Sequence, residues 1–412
     1  MNDMTAIAQC LAKARQVAKT CPMYVEKFKD IDIDKMMTKE DFETLPFTDK
    51  EDLRQAYPNK MFAVPIEDIV RIHSSSGTTG DPVMMPYTKQ DVEDWSVMME
   101  RCYLFAGVSK KDIVQITPGF GLWTAGFGFQ AGAERLGAMV IPTGPGNTER
   151  QLQIMCNLKS SVLICTSSYG LALAEEVDKR GLNDKIHLKK GIFGSERWGS
   201  RIRKRINESL NIEFFDIYGL TEIYGPGIAI DCKEHDGMHY FDDYIYCEII
   251  DPKTGKVLPD GEQGELVITT FRKEGAPLIR YRTHDITRIT REVCKCGSHF
   301  PRLDRIMARS DDMIKIKGTN IYPVQVESIL AKLDGFSSEF RIILENEDLR
   351  DRMIVQAEVE PGVDKEALAE ALVRECKDGI GIKVVPELLN IGELPRSEKK
   401  TKRVIDNRNQ ND

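Results

Sequence analysis

The sequence predicts an α/β protein of two unequal domains. A large N-terminal domain, residues 1–309, combines parallel sheets and helices with a small antiparallel region, and a small α+β domain spans 310–412. Three patterns carry that expectation. From Asp112 onward, short apolar runs alternate with helix-like stretches, which is how a helix-covered parallel sheet is written in sequence. After Tyr240 the texture changes to paired strands joined by turn residues, and from near Ser310 the order reads β-α-β-β-α-β. Length agrees, because 412 residues exceed the roughly 250–300 at which a single core stops growing.

In chain order, Met4 to Lys19 is amphipathic with helical spacing, and Thr48-Asp49-Lys50-Glu51 has the capping-box pattern of a second helix. The strand-like Val70-Arg71-Ile72 leads into Ser74-Ser75-Ser76-Gly77-Thr78-Thr79-Gly80-Asp81-Pro82, ahead of the polar start of a helix. Ile113–Ile116, Ala138–Ile141, Ser161–Cys165, Gly191–Phe193 and Glu213–Ile217 read as buried strands, with Ser168–Lys179 and Ser200–Leu210 helical between them. Tyr246–Ile250 and Glu265–Thr270 flank Asp251-Pro252-Lys253-Thr254-Gly255-Lys256 and Asp260-Gly261-Glu262, whose turn chemistry predicts antiparallel pairing. The first helix of the C-terminal unit is expected at Pro323, a residue favoured at the first helical position, and Asn407 to Asp412 as a frayed tail.

Composition narrows the function. A formal charge of −8 argues against a general nucleic-acid binder, which needs a basic surface to neutralise phosphates. There is no apolar run of about 18 residues and no basic region leading into an apolar stretch at the N-terminus, so the expectation is a cytoplasmic protein with no membrane partner. In that reducing setting the ten cysteines are packed thiols or metal ligands rather than disulfides.

The Ser74–Pro82 run is suited to a phosphate chain. Its glycines allow close backbone approach, and its hydroxyls and free N–H groups match phosphate oxygens. It is not a Walker loop, since no Gly-Lys-Ser/Thr follows the glycines. A solvated linker is the other reading of such a tract taken alone. Four segments follow it in order: Tyr218-Gly219-Leu220-Thr221-Glu222, Tyr281-Arg282-Thr283-His284-Asp285, Arg309-Ser310-Asp311-Asp312 and Leu394-Pro395-Arg396-Ser397-Glu398-Lys399-Lys400. Motifs in that order resemble the adenylate-forming superfamily of acyl-CoA synthetases, luciferases and adenylation domains. The stretches Arg71–Gly80, Gly132–Ala138 and Pro277–Thr283 resemble the phenylacetate-CoA ligase family more closely, and the resemblance runs from about Tyr57 to Arg403.

That resemblance implies a two-step activity, an acid and ATP giving an acyl-adenylate and pyrophosphate, then coenzyme A giving a thioester and AMP. It implies ATP/AMP, Mg2+ and coenzyme A as ligands, and a homodimer as the family's assembly. Ser75, Ser76, Gly77, Thr78, Thr79 and Gly80 would cradle phosphates, Glu222 would hold Mg2+, and Thr221 would lie near the α-phosphate. Tyr218 and Gly219 would meet adenine, with Asp216 a further candidate for its amino group, although a core tyrosine at a strand end is the bland reading of Tyr218. Asp285 would accept both ribose hydroxyls, and Arg309 would add a cation. Lys400 is the implied catalytic lysine, with Lys399 the neighbouring alternative because the family has glycine before its lysine. Asp311 would be the hinge of a mobile lid, and Gly318 and Asn320 would line the pantetheine path. Two further departures adjoin the ribose contacts: His284 and Ala308 stand where the family usually has glycine.

Cys294-Lys295-Cys296 places two thiols within reach of one ion, and Cys232 with His239 completes a candidate structural Zn2+ set, with His235 as the alternative imidazole and four unrelated residues as the plain reading. Phe120, Trp123, Phe127 and Phe129, interleaved with glycines, predict either an aromatic-walled acid pocket near Ser195-Glu196 or ordinary core. An aryl or arylacetic acid is the expected substrate. Some relatives instead move AMP onto a deazaflavin hydroxyl without coenzyme A, and a nucleotide-binding homologue without turnover is the non-enzymatic reading. The intact Thr78, Glu222, Asp285 and Lys400 set counts against the latter.

Overall fold

The computed structural model describes residues 3–75, 82–196, 200–316, 319–347, 350–395 and 403–408. Contacts divide the chain into two units, 1–165 with 186–195 and 212–306, and 166–185 with 196–211 and 307–412.

The first unit is built on a nine-stranded sheet. Its spatial order is Ile289–Thr290, Arg302–Leu303, Met238–Tyr240, Gly225–Asp231, Glu213–Leu220, Lys190–Gly194, Val162–Thr166, Ile113–Ile116 and Met139–Ile141. The expected strands pair in parallel, Lys190 opposite Glu213 and Val114 opposite both Val140 and Val162. Antiparallel pairing is expected only after Tyr240, but within this sheet it begins at Gly225, where the chain doubles back from Leu220. Glycine permits that close return. A Cβ on Gly219 would lie 2.0 Å from the Gly225 carbonyl oxygen, and Gly225 itself has φ +100°.

The helix Lys89–Phe105 opens on a capping box between Thr88 and Asp91 and lies against Ala125–Leu136. Gly128 and Gly132 make this approach possible, since added Cβ atoms would meet Trp95 at 2.3 Å and Met99 at 2.4 Å. The second capping box differs from expectation by one residue. Asp49 caps Lys50–Gln55 with Asp52 as its reciprocal partner. Thr48 is unavailable because its backbone bridges the Tyr281 strand and its buried hydroxyl donates to Ile279 O at 2.8 Å, beside Tyr24 Oη at 2.9 Å.

A second, antiparallel sheet runs Tyr246–Ile250, Gly264–Thr269, Tyr281–Thr287, as the turn residues predict. It is anchored by Arg280, 2 % exposed, whose guanidinium meets Glu248 at 3.0 and 3.2 Å, donates to Leu45 O at 2.9 Å and stacks on Phe47 at 4.3 Å. Burial pushes the Glu248 carboxyl up even with Arg280 opposing it, so removing either partner would strand a charge in the core.

The second unit has its own core around Ile342, Val355, Leu372 and Val326. Its sheet orders Val385–Asn390, Arg350–Val359, Phe336–Glu347 and Val404–Asp406, antiparallel in the centre and parallel at both edges. Its helix Pro323–Lys332 begins at the expected proline. Asn407 and Arg408, expected to fray, are held: Asn407 N donates to Leu344 O at 2.8 Å and Arg408 reaches Lys315 O at 2.8 Å. Ser167–Arg180 and Ser200–Leu210 group with this unit and pack on one another, with Ser209 Oγ donating to Asp178 at 2.6 Å. Among the described residues no helix is long and apolar enough to cross a membrane.

Candidate active site

The strands flanking the Ser74–Pro82 run form a hairpin that the sequence did not predict. Ile69–Ser74 pairs antiparallel with Met84–Thr88, and only then does the helix at Lys89 begin. Ser75 ties the base of this hairpin, its N–H donating to Val83 O and its hydroxyl accepting from Val83 N, each at 3.2 Å. The element that follows the Ser74–Pro82 run is therefore the strand Met84–Thr88, where a helix start was expected. Ser76, Gly77, Thr78, Thr79 and Gly80 lie outside the described residues.

On the Glu213–Leu220 strand and its turn, several expected residues come together. Tyr218 is 8 % exposed and its hydroxyl donates to Asp285 Oδ2 at 2.6 Å. Burial and the adjacent carboxylate push the phenol far up, so it stays a donor. Tyr218 is thus packed near the end of its strand, with its hydroxyl holding the Asp285 carboxylate. Asp216, on the same strand, pairs with Arg305 at 3.3 Å. Asp285 follows His284, whose φ of +64° explains why glycine suits that position. Here the imidazole Nδ1 lies 3.4 Å from Glu265, which Arg282 also clasps at 2.7 and 2.8 Å. Burial raises the Glu265 carboxyl, but the hydrogen bonds from Arg282 and His284 outweigh it and hold the group at about 2.

Glu222, 4 % exposed, has Lys50 Nζ at 3.2 Å, and Thr221 Oγ1 lies 3.4 Å from Thr124 Oγ1. Beside this turn the buried Lys273 donates to Ile223 O and lies 4.4 Å from the Tyr87 ring and 5.0 Å from Tyr224. Its ammonium is pulled down to about 8 by burial, against the raising influence of Asp91 and Glu222. A buried carboxylate whose partner is a half-exposed lysine is an oxygen donor that a divalent cation can claim from solvent. Glu222 therefore fits Mg2+, which takes one or two carboxylates with substrate phosphates.

The chain matches the AMP-binding enzyme family over residues 5–271 and the AMP-binding enzyme C-terminal domain family over residues 318–408. It is 41 % identical over 398 residues to phenylacetate-coenzyme A ligase of Pseudomonas putida, covering 94 % of this chain and 90 % of the relative. The chain belongs to the phenylacetate-CoA ligase family of AMP-binding enzymes. The Escherichia coli relative of the same name is 39 % identical, with 94 % and 91 % covered. The crystal structure of 2-hydroxyisobutyryl-CoA ligase in the postadenylation state with 2-HIB-AMP superposes with a TM-score of 0.89 at 27 % identity, covering 99 % of this chain and 90 % of that one. Its thioesterification-state structure with 2-HIB-AMP and CoA gives 0.72 at 28 % identity, again covering 99 % and 90 %.

Arg309 makes a two-point contact with Asp311, the expected hinge, at 2.7 and 2.8 Å. Asn320 lies on Thr319–Ile321 opposite Lys315, whereas Gly318, Lys399 and Lys400 lie outside the described residues. Ser195 is exposed with φ +70°, and Glu196 accepts from Ser168 N at 3.1 Å and Ser167 Oγ at 3.2 Å, at the first turn of Ser167–Arg180. Of the aromatic run, Phe120 and Phe127 pack against the same core that holds Phe129. Phe129 is core beneath Tyr103, while Phe120 and Phe127 are half-buried, edge to face at 5.3 Å, with Phe127 5.6 Å from His73.

The sequence reading missed Lys50, His73, Thr124, Lys273 and Arg305. His73 is buried among Tyr87, Trp95 and Phe127 with Nδ1 at 3.2 Å from Leu122 O, and burial pulls it down to about 4. Its position just ahead of the Ser74 run was the one available signal; the other four carry none, since their partners lie far away in sequence.

Cys232, His239, Cys294 and Cys296 are brought together, with all ligand atoms within 4.8 Å of one another. The alternative His235 turns away to Asp231 at 2.8 Å and Glu213 at 3.5 Å.

Proposed function

We propose that the chain joins an aryl or arylacetic acid to coenzyme A through an acyl-adenylate. In the first step a carboxylate oxygen attacks the α-phosphorus of ATP, the bond to the bridging oxygen breaks, and pyrophosphate leaves with that electron pair. In the second the thiol of coenzyme A adds its sulfur to the acyl carbon, AMP departs with the acyl–oxygen electron pair, and the thiol proton passes to solvent. The observation that carries this reading is the buried Tyr218–Asp285 hydrogen bond at 2.6 Å, which fixes a carboxylate against the strand leading into the Thr221-Glu222 turn in a chain of this family.

In this reading Ser75, Ser76, Gly77, Thr78, Thr79 and Gly80 hold the phosphates, Asp285 and Arg309 the ribose, and Tyr218, Gly219 and Asp216 the adenine. Glu222 would hold Mg2+, which when bound neutralises phosphate charge. Lys400 steadies charge developing between carboxylate and α-phosphate, while Phe120, Trp123 and Phe127 wall the acid. Asp311 is the hinge between domains 1–309 and 310–412, and its contact with Arg309 is exposed enough to break at a cost of about 1 kcal/mol or less. The same reading includes Zn2+ at Cys232, His239, Cys294 and Cys296, outside every step of the reaction, and places the enzyme in the cytoplasm as a homodimer. Support comes from relatives named phenylacetate-coenzyme A ligase and from a neighbour solved with both an acyl-adenylate and CoA.

The test is mass spectrometry of the protein with ATP, Mg2+ and a panel of aryl, arylacetic and short aliphatic acids, with and without coenzyme A. An aryl-CoA and AMP formed only with coenzyme A is the expected product. An AMP adduct indifferent to coenzyme A would overturn the reading in favour of AMP transfer. Lys400→Ala should stop adenylation yet leave thioester formation from a supplied acyl-adenylate; equal loss of both half-reactions would remove Lys400 from its role.

A further inference from the structure

We propose that Cys232, His239, Cys294 and Cys296 form a closed tetrahedral zinc site that fixes the 291–305 segment. Bond lengths decide the geometry. Zn–S bonds of about 2.3 Å and Zn–N bonds of about 2.0–2.1 Å at tetrahedral angles require sulfur–sulfur separations of about 3.8 Å and sulfur–nitrogen separations of about 3.6 Å. Cys232 Sγ and Cys294 Sγ are 3.9 Å apart, and Cys296 Sγ is 3.4 Å from His239 Nε2.

The ligands come from separate places in the chain. Cys232 follows the end of Gly225–Asp231, His239 is central in Met238–Tyr240, and the other two thiols sit on a turn where Gly297 N donates to Cys294 O at 2.8 Å. Their convergence is therefore a tertiary property, since a local Cys-x-Cys turn does not bring Cys232 and His239 to itself. The outer contacts are those of a metal ligand as well. His239 is buried, its Nδ1 lies 2.9 Å from Phe300 O, and Phe105 stacks on its ring at 4.7 Å. A proton on Nδ1, donated to that carbonyl, leaves the Nε2 lone pair facing the thiols. Three soft thiolates and one imidazole select zinc over hard cations, and a full set of four protein ligands makes the ion structural.

The segment so held has a further use. Arg302 pairs in register with His239, and three residues later Arg305 reaches Asp216 at 3.3 Å. Zinc would thereby steady the partner of a residue on the nucleotide strand. This last step rests on the nucleotide-binding reading, whereas the metal site itself does not.

Protein purified under reducing conditions without added metal should contain one zinc per chain by elemental mass spectrometry. A mercurial thiol reagent should release that equivalent, and cobalt exchange should give tetrahedral visible bands with thiolate charge-transfer absorption. Cys294→Ser should lower bound zinc at least tenfold. Should that variant fail to fold, the wild-type stoichiometry and cobalt spectrum still decide. Wild type free of zinc and without cobalt–thiolate bands would overturn the site, and so would Cys294→Ser retaining a full equivalent. AMP binding, read separately by calorimetry, should weaken several-fold on zinc release; unchanged AMP affinity with a confirmed zinc would overturn only the link through Arg305.

Discussion

The hairpin of Glu213–Leu220 and Gly225–Asp231 carries a candidate reaction site at its turn and a candidate metal site at its far end, and the two are built in opposite ways. At the turn, buried Glu222 is matched to Lys50, whose side chain is 43 % exposed and can leave. At the far end, His239 is fully buried, hydrogen-bonded through its outer nitrogen and stacked on Phe105. A reacting carboxylate must exchange partners as nucleotide and cation come and go, whereas a structural ligand set works by never doing so. Partner mobility, more than residue type, separates the two.

The sharpest test of that contrast is Glu222→Gln, which keeps the shape and removes the charge. Pyrophosphate release should fall on the order of a hundredfold or more. Urea-melt stability should change little, and a collapse in stability would mean Glu222 is as structural as His239. At the other end the expected pattern reverses. Stripping zinc should remove several kcal/mol of folding free energy, seen as a melting-temperature drop on the order of 10 °C in calorimetry, before any specific effect on chemistry.

Glu265 supplies an intermediate case, an ion cluster with Arg282 and with His284, the residue before Asp285. Its folded carboxyl lies at about 2 against an ordinary 4.5, so the native state binds fewer protons than the unfolded one. The stability it contributes is complete above pH 4.5 and is lost as pH falls through about 2. That window is worth about 3 kcal/mol, with about 2 kcal/mol gone by pH 3. Urea titrations of wild type and Glu265→Gln at pH 5 and pH 3 should converge at the lower pH; parallel curves would show that Arg282 and His284 do not hold the carboxylate. The smallest effect belongs to Lys50→Ala. An exchangeable, half-exposed partner should cost less than about 1 kcal/mol in the same melts and leave Mg2+ dependence of turnover equal or tighter.

Much of the fold was legible because its signals are local. Apolar runs marked four of the parallel strands within one residue and the fifth, Glu213–Leu220, within three, Pro323 marked a helix start, and turn residues marked the Tyr246–Thr269 pairing. The early antiparallel return at Gly225 was not legible, because what permits it is the close passage of Gly219 against Gly225, a contact between backbones rather than a pattern of side chains. Thr48 fitted a capping box by residue type, yet a buried bridge to the Tyr281 strand took it first.

By itself the sequence determined which chemistry is available: a hydroxyl-glycine run, carboxylates at Asp285 and Glu222, thiols at Cys294 and Cys296, and an order of motifs that belongs to one family. Only the tertiary structure decided how those groups are poised. It chose His239 over His235, because His235 turns to Asp231 while strand register sets His239 opposite Arg302 and Ile230. It also supplied Lys50 to Glu222 across 172 positions and Arg305 to Asp216 across 89. Spacing along a chain encodes neighbours on one helix face or one strand. Which distant charge arrives to answer a buried one is settled when the sheets pack.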